Sequence, residues 1–253
     1  MGRRTYIALA IWFVFVVSCV MGAYVPLHYW SSQLRLVMPQ GTQLVRLSGH
    51  WWRGQAQVSV MAWSQPLQFS WSLSSLFEPI TWHLNHPKVV GYGQLQPTMN
   101  SLSLWVEGLR MEADLLNPSL APQGVHLSGQ AIEITRWFSV YDFSQAQFQA
   151  FRAHAHWGAG RIEYQVEQQT IAANIENWQL HGDLFIEAQE PQPRLTLRSQ
   201  QDRPLFELKL LPSQELELTV MPELIEALGQ RWPGKKEYPA FVMVQPLTGM
   251  WRY

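Results

Sequence analysis

The chain has 253 residues, of which 47% are hydrophobic and 15% charged, with a formal net charge of −1. Such a charge-poor, near-neutral protein has no basic surface for nucleic acid and no run of like charges that would read as a disordered tail. It has one cysteine and 13 Trp, so no intrachain disulfide can hold it, and its stability must come from burial and strand pairing.

From Tyr6 to Trp30 the sequence contains no Asp, Glu, Lys or Arg, and Arg3 and Arg4 precede it. A helix needs roughly 20 apolar residues to cross a hydrocarbon core about 30 Å thick. The segment therefore predicts one N-terminal transmembrane helix within residues 1–30, with Arg3 and Arg4 holding the N-terminus in the cytoplasm. Residues 31–253 are then exported, in a bacterium to the periplasm, and the protein sits in the inner membrane by a single pass. A cleaved signal peptide fits less well, because the apolar run is too long and Ser18 to Ala23 is followed by more hydrophobic residues. Val16-Val17-Ser18-Cys19 resembles a lipobox with Cys19 as the acylated residue, but Val20-Met21 follows where a polar tether is expected.

Beyond the anchor the dominant period is two. Leu67, Phe69, Trp71 and Leu73 alternate with polar residues, as do Phe151, Ala153, Ala155 and Trp157. Side chains of a strand point alternately to opposite faces, so these are strands with one wet face. Similar alternation covers 56–60, 102–106, 162–166, 178–186, 206–210 and 216–220. Gly91-Tyr92-Gly93, Asn117-Pro118, Gly158-Ala159-Gly160 and Pro191-Gln192-Pro193 read as turns between strands. A short helix is predicted after Met221, with Pro222 in its first turn and Gly229 as its stop. The fold class is mainly β: a transmembrane helix, then a curved antiparallel sheet domain.

Val45-Arg46-Leu47-Ser48-Gly49 recurs as Val125-His126-Leu127-Ser128-Gly129, and Gln-Ala follows each copy at 55–56 and 130–131. The apolar parity switches after each glycine, which points to a bulge or tight turn that re-aims the strand. The repeat suggests a sheet of two repeated halves, 41–120 and 121–253.

Gly49-His50-Trp51-Trp52-Arg53-Gly54-Gln55-Ala56 resembles the Gly-Thr-x-Trp-x-Gly-x-Ala signature that opens the periplasmic part of the type II secretion system protein N family. The order of features fits as well: the anchor, then Phe69-Ser70-Trp71-Ser72-Leu73, Gly91 and Gly93, Leu127-Ser128-Gly129 and Ala155-His156-Trp157. The resemblance covers most of residues 1–160; His50 replaces the usual Thr, and the C-terminal third carries no matching motif. It implies a non-enzymatic inner-membrane component that helps move folded proteins from the periplasm across the outer membrane, with other secretion subunits as partners. The organisation is also similar to AsmA-like proteins, which implies as the alternative a groove that handles lipid. On the family pattern Gly49, Trp52, Gly54, Ala56, Trp71, Gly129 and Trp157 are expected to be structural.

No constellation of residues reads as an active site. His154 and His156 share one strand face in the manner of two metal ligands, but no Cys or local carboxylate cluster completes the set. His83 and His86 precede Pro87, where a turn histidine is expected. Asp142, Glu163, Glu167, Asp183 and Glu187 are scattered among strands, and there is no phosphate-binding loop or nucleophile elbow. Neither enzyme activity nor a cofactor or metal is expected. Trp51-Trp52-Arg53 stands out instead: Trp beside Arg is the composition of interface anchors. Trp52 matches the family's Trp and is assigned to packing, which leaves Trp51 and Arg53 as the candidate partner-binding residues.

Overall fold

The computed structural model describes residues 26–38, 41–60, 63–75, 78–166, 169–187 and 190–246. Arg3, Arg4, Cys19 and nearly all of the predicted membrane span lie outside them. Among the described residues no helix is long and apolar enough to cross a membrane. A 3-10 turn, Leu27–Trp30, leads into helix α1, Ser31–Val37, and from there the chain enters a sheet.

All fourteen strands belong to that one sheet, and every pairing is antiparallel. In chain order they are β1 Thr42–His50, β2 Arg53–Val60, β3 Leu67–Ser72, β4 Ile80–His86, β5 Val89–Pro97, β6 Ser101–Met111, β7 Val125–Gly129, β8 Ile132–Asp142, β9 Gln147–Val166, β10 Gln169–Glu187, β11 Glu190–Arg198, β12 Pro204–Leu210, β13 Glu215–Val220 and β14 Phe241–Pro246. Spatial order follows sequence order except at β7, which pairs only with β9. Because β9 spans 20 residues, β7 lies along its second half and β8 along its first. Those two strands thus form one line broken at Gly129–Ala131.

Three predicted turns are strand interior instead. Gly91-Tyr92-Gly93 lies within β5, where a Cβ on Gly93 would strike the Trp82 ring. Gly158-Ala159-Gly160 lies within β9: the Trp157 indole occupies the space a Cβ on Gly160 would need, and the Gln130 side chain does the same at Gly158. These glycines serve close approach, not reversal. Pro191 and Pro193 lie in β11, before its ladder with β12 begins at Arg194, so their missing N–H groups cost no bond on that side.

Register explains the period of two. One row of directly paired residues crosses every strand but β7: Gly49, Gly54, Trp71, Trp82, Gly93, Val106, Trp137, Ala153, Gly182, Leu195, Leu208, Leu218 and Met243. A parallel row runs Leu47, Ala56, Phe69, Leu84, Gly91, Leu109, Ile134, Ala155, Leu180, Leu197, Phe206, Val220 and Phe241. Directly opposed residues share a face, so one face of the sheet is apolar along its whole width. A row on the other face reads Arg46, Gln57, Gln68, Asn85, Val90, Arg110, Glu133, His156, Gln179 and Arg198.

The dense core lies at one end of the apolar face. Trp157, Trp178, Ile175, Leu127, Ala113 and Leu205 form a buried cluster, with Leu116, Leu120, Leu224 and Leu228 packed against it. The last four come from two short helical segments that cover this end. One is α2, Asn117–Leu120, with the 3-10 turns on either side of it; the other is α3, Pro222–Ala227. The predicted helix after Met221 is α3, and Gly229 ends it at φ +81°.

Candidate partner-binding surfaces

Trp51 and Trp52 form the turn between β1 and β2. Trp51 is 44% exposed, while Trp52 is half-buried and stacks on His50 with ring centroids 4.6 Å apart. The two indoles meet edge to face at 5.7 Å. Arg53 opens β2, exposed on the polar face opposite Ser72.

The remaining motif residues build the support beneath this turn. Gly49 has φ +95° and faces Gly54, where a Cβ would collide with the Arg53 carbonyl. The Trp71 indole lies over Gly54 and its Nε1 donates to the Trp51 carbonyl at 2.9 Å. About eighty residues later the arrangement recurs. Gly129 has φ +119° and faces Gly160, the Trp157 indole lies over Gly160, and its Nε1 donates to the Gln130 carbonyl at 3.0 Å. A left-handed glycine, a bare glycine across the ladder and an indole that covers it while capping the chain's exit thus occur twice.

The histidines do not converge. The hydroxyl of Thr135 lies 2.9 Å from His154 Nδ1, and the His154 and His181 rings meet edge to face at 4.9 Å. His156 faces Glu133 at 3.4 Å. Burial pushes the His154 pKa down, and the neighbouring His181, His156 and Arg136 add to the shift. His86 Nδ1 accepts the Lys88 backbone N–H at 3.1 Å across the β4–β5 turn. Among the described residues no group of three or more His, Cys, Asp or Glu could hold a metal. Three of the scattered carboxylates have structural partners: Asp142 accepts from Ser144, Gln145 and Gln149 around the β8–β9 turn, Glu163 pairs with Arg161 and Asp183 with Arg194; Glu187 is exposed at the end of β10. The Ser144 hydroxyl is the foremost cause of a lowered Asp142 pKa. Glu167 lies outside the described residues.

The structure also gathers residues that no motif singles out. Trp105 and Phe138 are directly paired on the polar face and stack at 5.3 Å. Arg152 pairs with Phe138 in register, and Arg136 lies two residues away on β8. Together with Glu107 and Thr135 they line a depression of about 430 Å³. The sequence does carry a signal: Trp105 and Phe138 occupy the polar parity of strands whose apolar parity holds Leu104, Val106 and Trp137, with Ser139 breaking the run.

No family model, curated protein or solved structure matches the chain.

Proposed function

We propose that this protein is an accessory component of a type II secretion system, related to its protein N. In this reading one N-terminal helix anchors it in the inner membrane, and a curved sheet of two repeated halves faces neighbouring subunits in the periplasm. The observation that carries the reading is the recurring glycine–tryptophan support. The two glycines of the family signature, Gly49 and Gly54, sit where backbone conformation or the Trp71 indole leaves no room for a Cβ, and the arrangement is repeated at Gly129, Gly160 and Trp157. The protein acts without catalysis, by holding other subunits. Deleting its gene in the source bacterium should leave exoproteins in the periplasm while the outer membrane stays impermeable to detergent. Normal export with co-purification of no other secretion subunit would end this reading.

A second reading, in which the apolar face handles lipid, is favoured by one observation. The two apolar rows cross the whole sheet, whereas the dense core with its helical cover occupies only one end. Loss of a lipid-handling protein should make cells detergent-sensitive, and the purified protein should carry phospholipid detectable by mass spectrometry.

A further inference from the structure

Rows on the polar face commonly mix signs: Arg110 meets Glu133 and His156. The row through Trp105 runs Arg53, Ser72, Thr81, Gln94, Trp105, Phe138 and Arg152, and so holds no acid from β2 to β9. Asp183, the next position beyond Arg152 in the β9–β10 register, is already paired with Arg194. The row's aromatic pair sits where the sheet is locally deformed. Glu107 is an extra residue of β6 against β5, and Thr135 an extra residue of β8 against β9. Between them the β6–β8 ladder is open from Val106–Trp137 to Leu109–Ile134. Two bulges side by side bend the strands and re-aim their side chains, which produces the depression beside the stacked rings.

The charges around it are unbalanced. Arg136 and Arg152 are exposed, and neither makes a salt bridge among the described residues. The one carboxylate in the lining, Glu107, already accepts the Gln94 amide at 3.1 Å. Trp, Phe and Arg around a concavity make up the composition of interface hot spots, and guanidinium groups select carboxylates.

We propose that this depression on the polar face docks an acidic segment of a partner protein, with an apolar side chain against Trp105 and Phe138 and flanking carboxylates on Arg136 and Arg152. The surface is independent of Trp51 and of the secretion reading: exoprotein export tests that reading, while direct peptide binding tests this site.

The test uses the full chain in neutral-lipid nanodiscs and three fluorescein-labelled peptides, Gly-Asp-Phe-Asp-Gly, Gly-Asn-Phe-Asn-Gly and Gly-Asp-Gly-Asp-Gly, read by fluorescence polarisation. The first should bind at least tenfold more tightly than either of the others, and raising salt from ~0.15 M to ~0.5 M should weaken it several-fold. Arg152→Glu and Arg136→Glu should each weaken it tenfold or more, and Phe138→Ser should abolish its advantage over the peptide without Phe. Arg46→Glu makes the same change of net charge on β1, six ladders from Arg136 and seven from Arg152, about 29–34 Å along the sheet, and should leave binding unchanged. Equal binding of the acidic and neutral peptides, binding of none below the millimolar range, or equal losses in Arg46→Glu and Arg152→Glu would each overturn the proposal. Circular dichroism melts of every variant identify any loss that comes from unfolding, and in that case Arg152→Gln, which keeps a polar exposed side chain, decides the outcome.

Discussion

At the scale of single residues, backbone conformation and burial separate positions that look alike in the sequence. Gly49 and Gly129 both have positive φ, and a Cβ at either would meet backbone atoms across the ladder. Gly49→Val and Gly129→Val should each cost on the order of 1–3 kcal/mol, seen as a melting temperature about 2–10 °C lower; unchanged melting would make these ordinary strand positions. The tryptophans divide in the same way. Trp157 is 8% exposed within the core, so Trp157→Ala should cost about 3–5 kcal/mol. Trp51→Ala, at an exposed turn, should stay within about 0.5 kcal/mol of the parent, so any lost association with secretion subunits would report binding and not folding. His154 gives a pH signature. Burial and neighbouring charges disfavour its protonated form in the folded state, whereas the unfolded chain takes up the proton near 6.5. The folded state therefore suffers no penalty from His154 above pH 6.5 and loses stability as the pH falls below that value. Thermal melts between pH 7.5 and 5 should show that loss, and His154→Gln should flatten it.

At the scale of elements, alternation located strands well and their ends poorly. Leu67–Ser72 and Phe206–Leu210 are visible because each has one wet and one apolar face. The glycines of β5 and β9 and the prolines of β11 carry the composition of turns, yet the first admit close-packed side chains, Leu109 at Gly91, Trp82 at Gly93, Gln130 at Gly158 and Trp157 at Gly160, and the second a one-sided ladder. The candidate turn at Trp51–Arg53 was legible from a local motif. The Trp105–Phe138 depression required the β6–β8 register, since its residues are 33 positions apart in sequence and neither belongs to a motif. Strand β14 departs from the pattern in another way. Phe241 and Met243 continue the apolar rows, but Val242 and Val244 oppose Thr219 and Glu217 on the polar face, so the strand is apolar on both sides. All four are about half exposed on an open edge without the Lys or bulge that commonly blunts such edges. Changing Val242 and Val244 together to Lys should leave the melting temperature nearly unchanged while reducing self-association in light scattering. A large drop in melting temperature would show that the strand is held by more than its ladder with β13.

At the scale of the whole molecule, the meander gives the two ends of the sheet different characters. Thirteen strands lie on the sequential path, and an odd number of antiparallel strands places the start of β1 and the finish of β14 at opposite ends. Helix α1 and the two helical segments of the core gather at the end where β1 starts. The opposite end consists of hairpin turns that expose Trp51, Met99, Phe143 and, beside its turn, Ile186. Sequence alternation foreshadows one sheet because neighbours in sequence are neighbours in space, but it cannot show which end is covered, since the cover comes from helical segments more than ninety residues apart. If residues 1–30 anchor the chain as proposed, the covered end stands at the inner membrane and the bare turns point into the periplasm. The final prediction follows in a Cys19→Ser background, which should itself stay in the membrane after carbonate washing if Cys19 is not acylated. Met99→Cys and Phe143→Cys should react rapidly with a membrane-impermeant maleimide in cells with a permeabilised outer membrane. Tyr29→Cys should react more slowly, although Tyr29 is 69% exposed in the isolated chain, because the bilayer surface screens it. A periplasm-specific reporter fused after Tyr253 should be active. Equal labelling at all three positions would remove the oriented anchor, and release of a shortened soluble protein would restore the cleaved signal peptide in its place.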